Sequence, residues 1–138
     1  MSNLNFTVSE LIHSDMANAN KIDNIPKQAY IYDNMLYLIF NVLQPMRNAL
    51  GVINVNSGYR CEKLNKLVNG SNTSGHLYGQ CADIIGKNSS LKTMYDFVVN
   101  HLEYDECFLE TNKSGVKWLH VGYRYKANRF KHNPNYLA

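Results

Sequence analysis

One long run of apolar residues at helical spacing dominates the N-terminal half of the sequence. This spacing places the apolar side chains on one face of a helix. Pro45 has no amide hydrogen, so it should kink the helix or reset it about one turn earlier. The segment Pro26–Leu50 is therefore predicted to form a long amphipathic helix, with an apolar face of Ile31, Met35, Leu38, Ile39, Val42, Leu43, Met46 and Leu50.

Shorter patterns on both sides of this helix predict an α+β domain. A helix capped by Thr7 or Ser9 should run through His13, and the polar segment 15–26 is interpreted as a loop. Two further helices are expected at 61–68 and, capped by Ser89 or Ser90, up to about Leu102. Strands are expected at 52–56, 80–85, 104–110 and 116–123. Helices precede most of the strands, which predicts N-terminal helices packed on a small, mostly antiparallel sheet.

Size and composition favour one folded domain over residues 1–138. A chain of 138 residues with 45% hydrophobic and 18% charged residues is neither disordered nor coiled coil. The longest apolar run, 35–43, is too short to cross a bilayer. The first six residues lack the basic and apolar features of a signal peptide, so synthesis in the cytoplasm is expected. Nothing in the pattern requires more than a monomer.

The charges and the cysteines exclude several kinds of site. The net charge is only +3, but the segment 113–138 carries six basic residues and no acidic one. It is interpreted either as a solvated end or as a patch for a polyanion such as wall polymer; no nucleic-acid-binding motif accompanies it. Three cysteines without CxxC spacing argue against a disulfide framework or a thiolate zinc site. Cys81 and Cys107 are interpreted as small buried residues of strands.

Three short motifs carry chemically active residues. His76 precedes a glycine in Ser74-Gly75-His76-Leu77-Tyr78-Gly79, Asp83 lies in the following strand, and His120 lies in the middle of a later strand. Two imidazoles and one carboxylate suit Zn²⁺, and three protein ligands leave a fourth position open, as in catalytic sites. Each residue alone has a simpler interpretation, His120 as a hydrogen-bonded core residue and Asp83 as a cap. Arg60 lies upstream in Ser57-Gly58-Tyr59-Arg60.

Taken together, these motifs resemble the zinc D-alanyl-D-alanine carboxypeptidase family, most closely its short branch from bacteriophages and their gut hosts. The resemblance extends from Phe6 to Tyr123. It implies the fold shared by vancomycin-resistance dipeptidases, phage L-alanyl-D-glutamate endopeptidases and the hedgehog signalling domain. By this resemblance His76, Asp83 and His120 match the zinc ligands. Arg60 matches the arginine that binds the substrate carbonyl or carboxylate, Ser74 should orient the His76 loop at the substrate site, and Tyr59 could line the cleft.

The general base is identified through the same resemblance. The dipeptidase and phage endopeptidase branches carry a carboxylate three residues before the last histidine, where this chain has Lys117. The carboxypeptidase branch carries a histidine two residues before, where this chain has Trp118. The short branch has a glutamate at the end of the preceding strand, which Glu110 matches. Asp105 and Glu106 are alternative bases, and all three carboxylates could instead be surface charges.

The resemblance implies a zinc-dependent peptidase that hydrolyses an amide bond in peptidoglycan stem peptides or cross-links, as an endolysin or a virion-associated wall hydrolase. Glu110 would take a proton from the attacking water, and Arg60 would stabilise the developing oxyanion. Two alternatives stay open. One is a cytoplasmic D-Ala-D-Ala dipeptidase, against which Lys117 argues. The other is a non-catalytic, metal-bearing binding module such as the hedgehog domain.

Overall fold

A computed structural model describes residues 4–133, so the predictions for residues 1–3 and 134–138 lie outside the described residues. The helices are α1 (Val8–Ile12), α2 (Asp15–Ala19), α3 (Ala29–Leu38), α4 (Gln44–Leu50), α5 (Glu62–Leu67) and α6 (Leu91–His101). A π-helical turn (Ile39–Leu43) joins α3 to α4, and a 3₁₀ turn (Gly75–Tyr78) precedes the second strand. The strands are β1 (Ile53–Ser57), β2 (Cys81–Gly86), β3 (Glu106–Thr111), β4 (Lys117–Gly122) and β5 (Lys131–His132). The predicted α+β class is confirmed.

The long helix is present, and Pro45 resets it as expected. The helical path is continuous from Ala29 to Leu50, but it widens at the π-helical turn just before Pro45. There the amide of Gln44 donates to the carbonyl of Ile39, five residues back. Since proline has no amide hydrogen and its ring clashes with the carbonyl four residues earlier, the wider turn accommodates Pro45 without ending the helix.

The sheet has the strand order β1-β2-β4-β3-β5. Neighbouring strands pair antiparallel except β3 and β5, which are parallel. One face is apolar and packs on α6 and on the end of the long helix: Ile84, Cys107, Leu119 and Val121 are fully buried there. Because side chains alternate along a strand, the intervening residues of β2, β3 and β4 lie on the opposite face. That opposite face carries the chemistry.

Two features differ from the sequence predictions. The segment 15–26 is not entirely a loop, because residues 15–19 form α2. The hydroxyl of Ser14 accepts from the Ala17 amide at 3.1 Å and caps this helix, and the side chain of Ala17 is buried. The second feature is β5, a two-residue strand that no pattern indicates. The four predicted strands are confirmed, with shifts of one or two residues at their ends. Among residues 4–133, no helix has the length and apolar character needed to span a bilayer.

Candidate active site

Three adjacent strands bring the chemically active residues onto the solvent-facing side of the sheet. Asp83 in β2 pairs directly with His120 in β4, and His120 pairs on its other side with Phe108 in β3. Residues directly opposite each other in a sheet project to the same face. Glu106 and Glu110 lie two residues to either side of Phe108, so they share this face as well.

His76 reaches the same place from the 3₁₀ turn. The hydroxyl of Ser74 accepts from the amide of His76 at 3.1 Å, which caps the turn. The turn ends at Gly79, whose φ of 71° is in the left-handed region. A Cβ at Gly79 would lie 2.8 Å from the carbonyl oxygen of Ile31, so both the conformation and the space require glycine. The turn is thereby held against the long helix, and the His76 side chain is only 2% exposed.

The three predicted ligands meet around one carboxylate oxygen. Asp83 Oδ1 is 3.2 Å from His76 Nε2 and 3.0 Å from His120 Nδ1. The donor atoms of all three residues lie within 4.8 Å of one another. The sequence places Asp83 and His120 37 residues apart, and the β2–β4 pairing removes that separation.

The outer hydrogen bonds of both imidazoles leave the nitrogen that faces Asp83 as the one that could bind a metal. His76 Nδ1 is 2.7 Å from the carbonyl oxygen of Gly58, which can only accept, so this nitrogen carries the hydrogen. His120 Nε2 is 3.0 Å from Glu106 Oε1. The hydrogen bond with His120 is the main reason that the pKa of Glu106 falls to about 2, so Glu106 accepts there. Two imidazole nitrogens and a carboxylate oxygen therefore converge, and once the shared proton is lost they form a donor set that fits Zn²⁺.

The electrostatics of the cluster also favour a cation. Burial opposes ionisation of Asp83, but the two imidazoles hold the pKa of its carboxyl well below the usual range. Burial also opposes charging of His120, but its hydrogen bonds with Asp83, Cys81 and Glu106 raise its pKa far above the usual range. The cluster thus takes up positive charge at its centre, and a divalent cation would displace the proton there.

The three candidate bases occupy different positions. Glu110 Oε1 is 3.9 Å from His120 Nδ1, the nitrogen that faces Asp83, and its side chain is 40% exposed to the cleft. Glu110 Oε1 also accepts from Trp118 Nε1 at 2.9 Å. Glu106 contacts the opposite nitrogen of His120. Asp105 is 1% exposed and pairs with Arg129 and Arg124. Of the three, Glu110 lies beside the donor cluster and open to solvent.

Arg60 and Ser74 line the same cleft, whereas Tyr59 does not. The cleft has a volume of about 740 Å³ and also includes His76, Asp83, Glu110 and Trp118 in its lining. The Nε of Arg60 is buried and has no hydrogen-bond partner among the described residues. Burial lowers the pKa of the Arg60 guanidinium, an effect that Asp83 and Glu110 oppose. The Tyr59 ring is buried in the core and borders a separate depression with Tyr30 and Tyr78, so its expected cleft contact is absent from the structure.

Sequence reasoning missed the contacts that surround the ligands. It treated Trp118 only as the residue in place of a histidine, and Glu106 only as an alternative base. Trp118 lies two residues before His120 on β4, and Glu106 lies four residues before Glu110 on β3. An even spacing along a strand places each of them on the same face as the predicted site residue. That spacing is the signal that could have identified them. The stacking of Phe108 on His120, with ring centroids 5.8 Å apart, follows from the same pattern.

A comparison with protein-family models matches residues 4–121 to the family described as Peptidase M15. A search of curated proteins finds no match. The matched range contains His76, Asp83, His120, Arg60 and Glu110. It ends before the C-terminal segment that contains β5.

Proposed function

This chain belongs to the Peptidase M15 family, and on that premise we propose that it is a zinc-dependent peptidase that hydrolyses an amide bond in peptidoglycan stem peptides or cross-links. The expected resemblance to the zinc D-alanyl-D-alanine carboxypeptidase family is confirmed by this membership. One observation carries the zinc proposal: the imidazoles of the 3₁₀ turn and β4 and the carboxylate of β2 place their donor atoms within 4.8 Å of one another in a solvent-accessible cleft.

His76, Asp83 and His120 are the residues that would hold the metal. Their outer partners support this assignment, since the Gly58 carbonyl and Glu106 leave Nε2 of His76 and Nδ1 of His120 available as ligands. Zinc, when bound, would polarise the substrate carbonyl and lower the pKa of the attacking water.

Glu110 acts as the general base and then as the general acid. It removes a proton from the attacking water, whose oxygen forms a bond to the carbonyl carbon, and it returns the proton to the amine when the carbon–nitrogen bond breaks. Its 40% exposure and its position 3.9 Å from the metal-facing nitrogen of His120 support this role. The hydrogen bond from Trp118 holds the carboxylate in place.

Arg60 binds the carbonyl or carboxylate of the substrate. The buried Nε of Arg60, which has no hydrogen-bond partner within residues 4–133 and lines the same cleft as the donor cluster, is a group that gains a hydrogen bond when substrate enters. Its positive charge would stabilise the negative charge that develops on the carbonyl oxygen during attack. Ser74 contributes indirectly, because its hydroxyl already caps the turn that carries His76.

The biological setting follows from the same resemblance. We assign the enzyme to the short phage-type branch, as an endolysin or a virion-associated hydrolase that acts on the bacterial wall as a monomer. The basic C-terminal stretch would hold the enzyme on anionic wall polymer through its exposed lysines, Lys113, Lys117, Lys126 and Lys131. The two arginines of the stretch should contribute less to this patch, because both form ion pairs with Asp105.

The test combines metal analysis with digestion of peptidoglycan. Protein purified without chelator is analysed for zinc and incubated with Gram-negative peptidoglycan or with free D-Ala-D-Ala dipeptide. We expect about one zinc per chain and release of new amines from peptidoglycan, with the muropeptide masses identifying the bond. Glu110→Gln should keep zinc and lose cleavage, and His120→Ala should lose both. Glu103→Gln, an exposed glutamate outside the cleft, is the matched control.

Three outcomes would contradict the proposal in different ways. Cleavage of the free dipeptide alone would identify a dipeptidase. Bound zinc without new amines from either substrate would indicate a binding module. Full activity of Glu110→Gln would remove the assigned base.

A further inference from the structure

The C-terminal segment beyond the matched residues folds back onto the strand next to the candidate metal site. Within this segment, β5 pairs parallel with Glu106 and Cys107. The amide of Lys131 donates to the carbonyl of Asp105 at 2.9 Å. The side chain of Asn133 bonds both backbone groups of Leu109, accepting from the amide at 2.8 Å and donating to the carbonyl at 3.2 Å. The segment is therefore fastened to β3 along the residues that flank the site.

This segment delivers Arg129 to two carboxylates. Its guanidinium forms a two-bond contact with Asp105, from Nε to Oδ1 at 2.9 Å and from Nη2 to Oδ2 at 2.8 Å. The backbone amide of Arg129 also donates to Asp105 Oδ1, at 3.0 Å. Because Asp105 is 1% exposed, this contact fixes the guanidinium firmly. From that position Nη2 donates to Glu106 Oε2 at 3.2 Å.

Glu106 links Arg129 to His120 through its two carboxylate oxygens. Its Oε2 faces Arg129, and its Oε1 accepts from His120 Nε2 at 3.0 Å and lies 3.6 Å from Cys81 Sγ. The carboxylate is thus held from one side by an anchored arginine and in turn orients the imidazole on the other. A ligand histidine whose second nitrogen donates to a fixed carboxylate has its ring orientation and tautomer set by that carboxylate.

We propose that Glu106 and Arg129 are positioning residues for His120, so that the C-terminal segment is part of the metal centre although it lies outside the matched range. This inference rests on the zinc site of the proposed function. Outer partners of ligand histidines commonly change metal affinity by about ten- to a hundredfold. Arg129 acts through Glu106, so its contribution to metal affinity disappears once Glu106 no longer holds His120.

The test measures metal affinity of the full chain by chelator competition, together with the absorption spectrum of the cobalt-substituted protein. Glu106→Gln leaves the pair of Asp105 and Arg129 intact, and we expect zinc to bind about tenfold more weakly with an altered cobalt spectrum. Arg129→Gln should weaken binding in the same direction. In the double variant the two losses should be far from additive, because both act through one hydrogen bond. Lys126→Gln removes an exposed charge of the same segment and is the matched control.

The outcomes separate this inference from the proposed function. A wild-type protein that binds no zinc would overturn the zinc site itself, and this inference with it. If the wild type binds zinc and Glu106→Gln has the same affinity and cobalt spectrum, only the positioning role is overturned. Additive losses would mean that Arg129 acts on the fold rather than through Glu106. A thiolate-to-cobalt band would place the metal among Cys81, Glu106 and His120 and would also overturn it.

Discussion

Replacing Trp118 by phenylalanine should slow catalysis without removing the metal. Glu110 and Trp118 pair directly across β3 and β4, and the indole Nε1 donates to Glu110 Oε1 at 2.9 Å. Phenylalanine keeps a ring on the sheet but has no donor. Glu110 then loses the one side-chain hydrogen bond described for it, the bond that holds its carboxylate beside His120 Nδ1.

The magnitude follows from the strength of a hydrogen bond to a charged group, about 1.5–3 kcal/mol. The lower value applies, because the Glu110 side chain is 40% exposed and water can replace part of the lost bond. A loss of about 1.4 kcal/mol in transition-state stabilisation corresponds to about tenfold in rate. We therefore expect kcat to fall about tenfold, whereas KM should change little because the proposed substrate anchor is Arg60 and not Trp118.

Steady-state kinetics on a purified muropeptide, with zinc content measured on the same samples, check this expectation. Tyr78→Phe is the control, since it removes a polar group from an exposed aromatic residue outside the cleft. An unchanged kcat in Trp118→Phe would refute the reasoning that this hydrogen bond positions the base. A rise in KM alone would show that Trp118 contacts the substrate instead.

Two further predictions concern stability. Gly79→Ala should destabilise the fold by more than about 1 kcal/mol, because alanine is strained at a φ of 71° and its Cβ would lie 2.8 Å from the Ile31 carbonyl oxygen. Thermal unfolding measures this loss, and Gly115→Ala, at a φ of 83° with open space around it, shows the contribution of φ alone. Equal losses in the two variants would exclude a contribution from the close contact. As the pH falls from about 4.5 to about 2, the metal-free wild type should lose more stability than Glu106→Gln. Folding lowers the pKa of Glu106 from 4.5 to about 2. The ionised Glu106 therefore stabilises the fold above pH 4.5, and this stabilisation is lost as the carboxylate is protonated between those two pH values. Urea unfolding across that range tests it, and parallel curves for the two proteins would contradict it.

The sequence predicted elements whose signal is local and regular. The helical spacing of Ile31, Met35 and Leu38 was sufficient to predict the long helix. Pro45 was sufficient to predict that the helical path changes about one turn before it. Strand alternation and serine caps predicted β1 to β4 and α6 with small errors at the ends. The helix at 15–19 was missed because five residues give too little periodicity, and only the Ser14 cap marks its start.

The candidate ligands were accessible to sequence reasoning because each lies in a short motif, although no local signal brings them together. Their convergence depends on the pairing of β2 with β4, which joins residues 37 positions apart. The assignment of the base to Glu110 likewise required knowledge of the family, because Asp105, Glu106 and Glu110 look alike in sequence. The structure separates these three carboxylates by their surroundings: Asp105 is buried and pairs with two arginines, Glu106 contacts the outer nitrogen of His120, and Glu110 lies in the open cleft.

The basic C-terminal stretch shows why charge counting stops short of function. Counted along the chain, Arg124, Arg129 and Lys126 are equivalent members of one positive segment. In the fold, Asp105 lies 24 residues before Arg129, is buried, and binds both arginines. A buried carboxylate needs such a partner, because leaving it unpaired would cost several kcal/mol. The arginines therefore pair with the buried Asp105 and, through Arg129, with Glu106, whereas the exposed lysines are the better candidates for contact with an external polyanion. A count of charges along the chain cannot make that division, because the residue that decides it lies outside the stretch.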